Sequence, residues 1–156
     1  SAASDVYKRQ PMHAEESALW SLDRKDGMEK AYCCFNSNAR DFARFGQLLL
    51  NNGQWDDRQL ISPAYLAEAT SPDTRLVYKD LGKPNHCYGF QYWILDYKGM
   101  KIPYMRGILG QYVFTLPEKN AVIVRLGHKR SDTYTADQHY PDDINTWLDA
   151  AMDLLQ

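Results

Sequence analysis

Apolar residues recur at steps of three and four between positions 39 and 50, and this spacing predicts an amphipathic helix. Ser37 or Asn38 offers a side-chain oxygen as the N-cap of this helix, and Gly53 is expected to end it. The apolar face of the predicted helix consists of Ala39, Phe42, Ala43, Gly46, Leu49 and Leu50.

Two more helices are predicted further along the chain. Ser62 is a suitable N-cap with Pro63 at the first helical position, and this short helix stops before Pro72. Pro141 opens the last helix, which is expected to lie across one face of a sheet. The helically spaced apolar residues of the last helix are Ile144, Trp147, Leu148, Ala151, Leu154 and Leu155.

Between the second and third helices, alternating apolar and polar positions predict strands joined by short connections. Lys98-Gly99 is the first of these connections, and connections so short imply antiparallel neighbours. The predicted strands span residues 87–96, 100–106, 110–116 and 121–126.

An earlier hairpin is predicted between residues 17 and 35, with its turn at the dipeptide Asp26-Gly27. Its second strand ends in Cys33 and Cys34, whose side chains would point to opposite faces of an extended strand. We interpret these two residues and Cys87 as small buried apolar side chains. A disulfide from Cys87 to either of them would require an oxidising compartment.

Composition fits one ordinary globular domain. The chain has 156 residues, of which 44% are hydrophobic and 24% charged. A net charge of −2 with interspersed signs provides no basic face for nucleic acid, and no apolar run approaches the roughly 20 residues that span a bilayer. The predicted fold class is α/β of the α+β type, with an antiparallel sheet of three to four strands packed by helices.

Residues 1–10 fit neither a helix nor a strand, and they resemble translated adapter sequence from assembled reads. We therefore expect residues 1–10 to be a non-native leader and assign the domain to residues 11–156. On this interpretation the natural chain continued upstream of Pro11.

Two glycines stand three residues apart just after the predicted strand 100–106. Gly107 and Gly110 would let the backbone approach a ligand or another strand closely, and Gln111 adds a polar side chain beside them. This combination is typical of a strand at the edge of an active site.

Together with the helix at 38–50, Gly53 and Trp55, the glycine-containing stretch 104–127 resembles the C-terminal part of the serine β-lactamase, penicillin-binding protein and esterase superfamily. Class C-like members and the aminohexanoate-dimer hydrolases are the most similar. The resemblance covers residues 11–156 and implies the C-terminal portion of a β-lactamase-like fold. It implies substrate-binding roles for Arg106, Gly107, Ile108, Gly110 and Gln111.

The resemblance aligns Gly107 with the glycine of the superfamily's Lys/His-Thr/x-Gly strand motif. Met105 then stands where a cation would hold a substrate carboxylate, and Arg106 alternates to the opposite face of the strand. Ile108 stands where a backbone N–H joins the oxyanion hole. Because Met105 carries no charge, the resemblance implies an esterase or amide hydrolase rather than a β-lactamase.

Acyl transfer in that superfamily uses a serine, a lysine one helical turn later and a tyrosine or similar base. A near match to Ser-x-x-Lys runs from Ser21 to Arg24, but arginine stays protonated and cannot act as a base. Tyr-x-Asn and Lys-Thr-Gly are both missing. The expectation is a fragment without catalytic residues, inactive alone and in need of the N-terminal portion of its domain.

The expected parent enzyme acts on a small-molecule ester or amide, needs no cofactor or metal and is periplasmic or secreted. Two other interpretations stay open. The chain could be a self-contained module that holds a peptide or small ligand by strand addition beside Gly107. A weaker alternative is a metal hydrolase that uses His128 and His139.

Overall fold

The computed structural model describes residues 10–30, 33–78, 82–135 and 139–155, apart from the side chain of Tyr78. All of the expected leader except Gln10 lies outside the described residues. None of the helices in the described part is long and apolar enough to cross a membrane.

The described residues form ten strands and three α-helices, with one 3-10 turn between β9 and β10. In chain order they are β1 (Leu19–Trp20), β2 (Phe35–Asn36), α1 (Ala39–Leu50), β3 (Gln54–Trp55), β4 (Arg58–Gln59), α2 (Pro63–Ala69), β5 (Val77–Tyr78), β6 (Lys83–Pro84), β7 (Trp93–Tyr97), β8 (Met100–Arg106), β9 (Tyr112–Leu116), β10 (Ala121–Arg125) and α3 (Asp143–Leu154).

The four longest strands form one antiparallel sheet in the order β10-β9-β8-β7. Lys98 and Gly99 join β7 to β8 with φ angles of 53° and 88°, the left-handed conformation that two-residue hairpins favour. The short strands pair separately as β1-β2, β3-β4 and β5-β6. A four-stranded antiparallel sheet packed by helices confirms the predicted fold class.

Helices cover both faces of this sheet. Ile144 and Leu148 of α3 are fully buried in the main core, together with Phe114 of β9 and Ile102 of β8. The opposite face of β9 and β10 packs against α1. Side chains alternate between the two faces along each strand, so β9 contributes to both layers.

The predicted bounds of α1 and α2 are confirmed. Asn38 Oδ1 accepts the Asp41 N–H at 2.8 Å at the start of α1, and Ser62 Oγ accepts the Tyr65 N–H at 3.1 Å at the start of α2. At the end of α1, the Gly53 N–H donates to the Leu48 carbonyl at 2.8 Å. This bond spans the helix end as in a Schellman motif.

Helix α1 lies unusually close to the sheet at Gly46. A Cβ at this position would lie 2.5 Å from Val122 Cγ1 and 3.2 Å from Val113 Cγ1. Such distances are below van der Waals contact, so the missing side chain of Gly46 allows the helix to approach β9 and β10.

Two predicted strands are wrong at their N-terminal ends. Strand β7 begins at Trp93 rather than at residue 87, because the chain turns at Gln91, whose φ is 66°. This turn packs against α2, and the Phe90 N–H donates to the Ala69 carbonyl at 2.9 Å. Strand β9 begins at Tyr112 rather than at residue 110, since Gly110 has a φ of 83°.

The predicted hairpin is present in a shorter form, with its second strand at β2 and a positive φ at Asp26. The interpretation of the cysteines as buried side chains holds for Cys87 alone. Cys33 and Cys34 form a disulfide, and Cys34 is exposed. Cys34 has a φ of 71°, so the segment is not extended and the two side chains need not point to opposite faces.

Fewer residues of α3 are buried than its apolar spacing predicted. Trp147 is 42% exposed and Leu154 is 86% exposed, whereas Ile144 and Leu148 are fully buried. The Trp147 ring packs against the guanidinium of Arg125, 4.8 Å from the ring centroid. Trp147 therefore contacts the border of the sheet instead of the core.

A buried carboxylate fixes the segment before β1 to helix α1. Asp41 is 2% exposed, and burial alone would raise its pKa. Hydrogen bonds from backbone N–H groups and the charge of Arg44 outweigh burial, so the pKa of Asp41 lies below its ordinary value. Its donors include Glu15 N at 2.8 Å, Glu16 N at 3.2 Å, Ser37 Oγ at 3.3 Å, Asn38 Nδ2 at 3.1 Å and Arg44 Nη1 at 3.1 Å.

We expect Gly46→Ala to lower the free energy of unfolding by about 1–3 kcal/mol, although alanine favours a helix more than glycine does. The new methyl group would overlap Val122, whose β-branched side chain has few alternative rotamers. Val122→Ala in the same chain should recover part of the loss. Urea unfolding of the wild type, both single variants and the double variant measures this coupling. A Gly46→Ala chain as stable as the wild type would contradict the close packing.

We expect Asp41 to stabilise the fold above the ordinary aspartate pKa of 3.8, and this contribution to disappear as the pH falls through its lowered pKa in the folded state. Asp41→Asn should cost about 3 kcal/mol near neutral pH, because it removes a buried charge that several donors surround. The cost should shrink below about pH 4. Unfolding curves across this pH range test the prediction, with the exposed Asp153→Asn as control. A cost that does not change with pH would refute it.

Candidate functional site

A tight turn at residues 107–111 connects β8 to β9. The Gly107 N–H donates to the Gln111 carbonyl at 2.8 Å, and the Gly110 N–H donates to the Gly107 carbonyl at 3.3 Å. The turn thus brings together four of the five predicted substrate-binding residues, Gly107, Ile108, Gly110 and Gln111. Their role in binding stays a prediction.

The outer edge of β8 is open next to this turn. Pairing between β7 and β8 ends at Trp93 and Tyr104, because the chain turns away at Gln91. The Gly107 N–H points toward β9, so the N–H of Arg106 points to the opposite side of an extended strand. Beyond Tyr104, the described part of β7 provides no ladder partner for β8.

Ile108 lies at the exposed tip of the turn, with 82% of its surface accessible. None of the hydrogen bonds found among the described residues uses the Ile108 N–H as donor. The neighbouring Leu109 is 48% exposed, and its N–H is bound to Gln111 Oε1 at 3.2 Å. A backbone donor is therefore available at the open edge beside Gly107.

The end of β10 and the segment after it hold the turn from its other side. Arg130 Nε donates to the Ile108 carbonyl at 2.9 Å, and Arg125 Nη1 donates to the Gly110 carbonyl. Gln111 Nε2 donates to the carbonyl of Gly127. These contacts join residues 15 to 22 positions apart, and sequence reasoning missed both Arg125 and Arg130. A weak signal existed for Arg125, which alternation along β10 places on the same face as Ile123.

Arg106, the fifth predicted site residue, is held by contacts outside the turn. Its guanidinium lies 3.4 Å above the centre of the Trp93 ring and donates to the His139 carbonyl at 3.2 Å. Met105 lies on the opposite face of β8, half-buried. The alternation expected for these two residues is therefore present, and Arg106 contacts the α3 face of the sheet.

The two glycines of the turn differ in the space around them. Gly110 needs its positive φ of 83°, and a Cβ there would lie 2.2 Å from Arg125 Nη1. A Cβ at Gly107 would lie 2.3 Å from Gln111 Oε1, a flexible side-chain atom. Gly110 is thus required by the turn itself, whereas Gly107 leaves room for the Gln111 side chain.

Two tyrosines of the strands that flank the turn stay protonated at neutral pH. Burial raises the pKa of Tyr104 far above its ordinary range, although Arg106 beside it partly offsets the effect. Burial and the charge of Asp143 raise the pKa of Tyr112 to about 12. Neither phenol can therefore accept a proton as a general base near pH 7.

The two histidines of the metal interpretation differ in their surroundings. His128 is exposed, whereas the ring of His139 lies 5.5 Å from that of Tyr134. No group of three or more histidine, cysteine or acidic side chains suited to a metal ion occurs among the described residues.

The chain matches a solved structure entitled "Putative 6-aminohexanoate-dimer hydrolase from Bacillus anthracis", with a TM-score of 0.71 and 24% sequence identity. The match covers 98% of this chain and 37% of that chain. The chain has a β-lactamase-like fold. No family model and no curated protein sequence matches it.

The β-lactamase-like fold confirms the resemblance found in the sequence, at the level of the fold. The chain spans little more than a third of the length of the matched structure. The match therefore establishes neither the substrate nor the reaction of a complete protein.

A shallow groove of about 400 Å³ lies at the other end of the sheet of this β-lactamase-like fold. It surrounds the Lys98-Gly99 turn at the start of β8, whereas the 107–111 turn follows the end of β8. A strand of seven residues separates them by roughly 20 Å. The groove is lined by Tyr97, Lys98, Gly99, Met100, Glu118 and Met152, and it shares no residue with the candidate site.

Proposed function

We propose that the chain is one part of a β-lactamase-like serine hydrolase and that its 107–111 turn forms one wall of the active site. The observation that carries this proposal is the unused Ile108 N–H at the open edge of β8, within a β-lactamase-like fold. The parent enzyme hydrolyses a small ester or amide.

The proposed role of the Ile108 N–H is to stabilise an oxyanion. Negative charge develops on the carbonyl oxygen during acyl transfer, and backbone N–H groups aimed at this oxygen lower the barrier. Such a donor has to be exposed and held in place. Ile108 meets both requirements, because its neighbours in the turn are hydrogen-bonded while its own N–H is available.

The open edge also offers room for an extended substrate. The Arg106 N–H faces the side where β7 has ended, so an acyl group could lie beside β8 as an additional strand segment. The half-buried, uncharged Met105 supports a neutral ester or amide over a substrate held by its carboxylate.

The nucleophile and base are proposed to come from a separate portion of the same enzyme. The chain has no Ser-x-x-Lys, and Tyr104 and Tyr112 stay protonated at neutral pH. We propose that this portion completes the active site opposite the 107–111 turn. A periplasmic or secreted location is part of the same proposal.

A self-contained binding module is the second candidate, because the same open edge suits strand addition by a peptide. The two candidates differ in surface exposure. A part of a larger domain should expose apolar surface and an unpaired edge at β10, and should therefore bind the dye ANS or self-associate. A dye-negative monomer with a sharp melting transition favours the module.

We expect this chain alone to hydrolyse neither nitrophenyl esters nor a chromogenic cephalosporin, because its sequence contains no Ser-x-x-Lys. We expect the reading frame upstream of Pro11 to encode Ser-x-x-Lys and Tyr-x-Asn, and the extended chain to hydrolyse the esters. Steady-state assays of both chains test this. An extended chain with these motifs but no activity on esters or short amides would count against the proposal, and so would turnover by this chain that is lost on Ser21→Ala.

In the extended enzyme, we expect Ile108→Pro to lower kcat by about 10²–10³, because proline has no N–H to donate to the oxyanion. Ile108→Val is the matched control and should keep nearly full kcat, since it changes only an exposed side chain. Nearly equal kcat values for the proline and valine variants would show that Ile108 donates no bond in the transition state.

A further inference from the structure

Three successive peptide groups of the 107–111 turn are fixed by hydrogen bonds. The group before Gly107 donates its N–H to the Gln111 carbonyl at 2.8 Å. The group between Gly107 and Ile108 accepts the Gly110 N–H at 3.3 Å through its carbonyl oxygen. In a trans peptide the N–H and the C=O point in opposite directions, so this contact turns the Ile108 N–H away from the interior of the turn.

The third peptide group, between Ile108 and Leu109, is held on both sides by side chains. Arg130 Nε donates to its carbonyl oxygen at 2.9 Å, and Gln111 Oε1 accepts its N–H at 3.2 Å. Because a peptide group is planar, contacts at both ends restrict its rotation about the chain. The same restriction limits the ψ angle of Ile108 and, with it, movement at the tip of the turn.

Both side chains are themselves anchored away from the tip. Gln111 Nε2 donates to the Gly127 carbonyl, so the amide cannot rotate without losing this bond. Arg130 Nη1 donates to the Ser131 carbonyl at 2.9 Å, and its guanidinium lies 5.0 Å from the centre of the Tyr134 ring. The fork of guanidinium donors allows one side chain to satisfy two carbonyl oxygens at fixed geometry.

We propose that Gln111 and Arg130 are positioning residues: they hold the Ile108–Leu109 peptide group from both sides and thereby limit movement of the adjoining Gly107–Ile108 group, which carries the Ile108 N–H. This inference rests on the proposed function, in which the Ile108 N–H donates to an oxyanion. Such a donor acts best when it needs no reorganisation during the reaction. The geometry itself exists in the chain alone and is measurable there.

Backbone NMR of the ¹⁵N-labelled chain tests the proposal without any activity. In the wild type, Ile108 should have a ¹H–¹⁵N NOE as high as that of the strands, while its amide exchanges rapidly with water. Leu109 should be rigid and protected. An Ile108 NOE as low as that of a free loop would overturn the proposal before any variant is made.

Paired variants separate the two side chains. Gln111→Met removes both amide atoms at similar length and should speed exchange at Leu109 about tenfold, the effect of one lost hydrogen bond. Gln111→Glu keeps an oxygen acceptor for the Leu109 N–H but loses the bond to the Gly127 carbonyl, so Leu109 should be protected more than in Gln111→Met and less than in the wild type. Arg130→Met should lower the Ile108 NOE, whereas Lys129→Met, the charge-matched control, should leave it unchanged.

The melting temperature of each variant is measured alongside, because a general loss of structure would change amides throughout the sheet. Effects confined to residues 107–111 support the positioning role. Unchanged Leu109 exchange in Gln111→Met together with an unchanged Ile108 NOE in Arg130→Met would overturn it. These results do not depend on catalysis. If Gln111 and Arg130 hold the Ile108–Leu109 peptide group as proposed but the extended enzyme is inactive, only the proposed function is refuted.

Discussion

Burial of β9 on both of its faces is the constraint on which the rest of the structure depends. All five residues of Tyr112–Leu116 are buried, which requires one helix on each side of the strand. Helix α3 supplies Ile144 and Leu148 on one face, and α1 approaches the other through Gly46. The candidate site ends one residue before this strand. The turn at 107–111 therefore extends from the most buried strand of the sheet into solvent.

The turn itself is held by arginine and glutamine side chains that donate to backbone carbonyls. Arg125, Arg130 and Gln111 all reach main-chain oxygens, so their contacts depend on the path of the backbone and hardly on the identity of neighbouring side chains. A guanidinium that donates to carbonyl oxygens keeps its positive charge. Arg125 and Arg130 therefore stabilise the turn and keep their own positive charges.

Sequence alone predicted the features whose causes are local. The N-caps at Asn38 and Ser62 lie within three residues of the N–H groups that they accept, so the bounds of α1 and α2 followed from spacing. Alternation along the strand likewise predicted that the side chains of Met105 and Arg106 lie on opposite faces of β8. The start of β7 was missed because it depends on contact between the turn before it and α2, which is distant in the sequence. The roles of Arg125 and Arg130 were missed because the carbonyls that they contact are 15 and 22 positions away.

In the proposed hydrolysis, this chain can contribute groups that are held in position but no group that attacks the substrate. Near the turn, Arg125 and Arg130 are donors fixed by hydrogen bonds, and burial raises the pKa of Tyr104, so this phenol stays protonated at neutral pH. Fixed donors stabilise a charge that forms next to them, but they cannot create a nucleophile. Fixed donors act best on a rigid support, and the 107–111 turn is attached to β9, a buried strand between two helices. In the proposed enzyme the reactive groups therefore have to reach the turn from the solvent side, past the exposed Ile108, where β7 has ended.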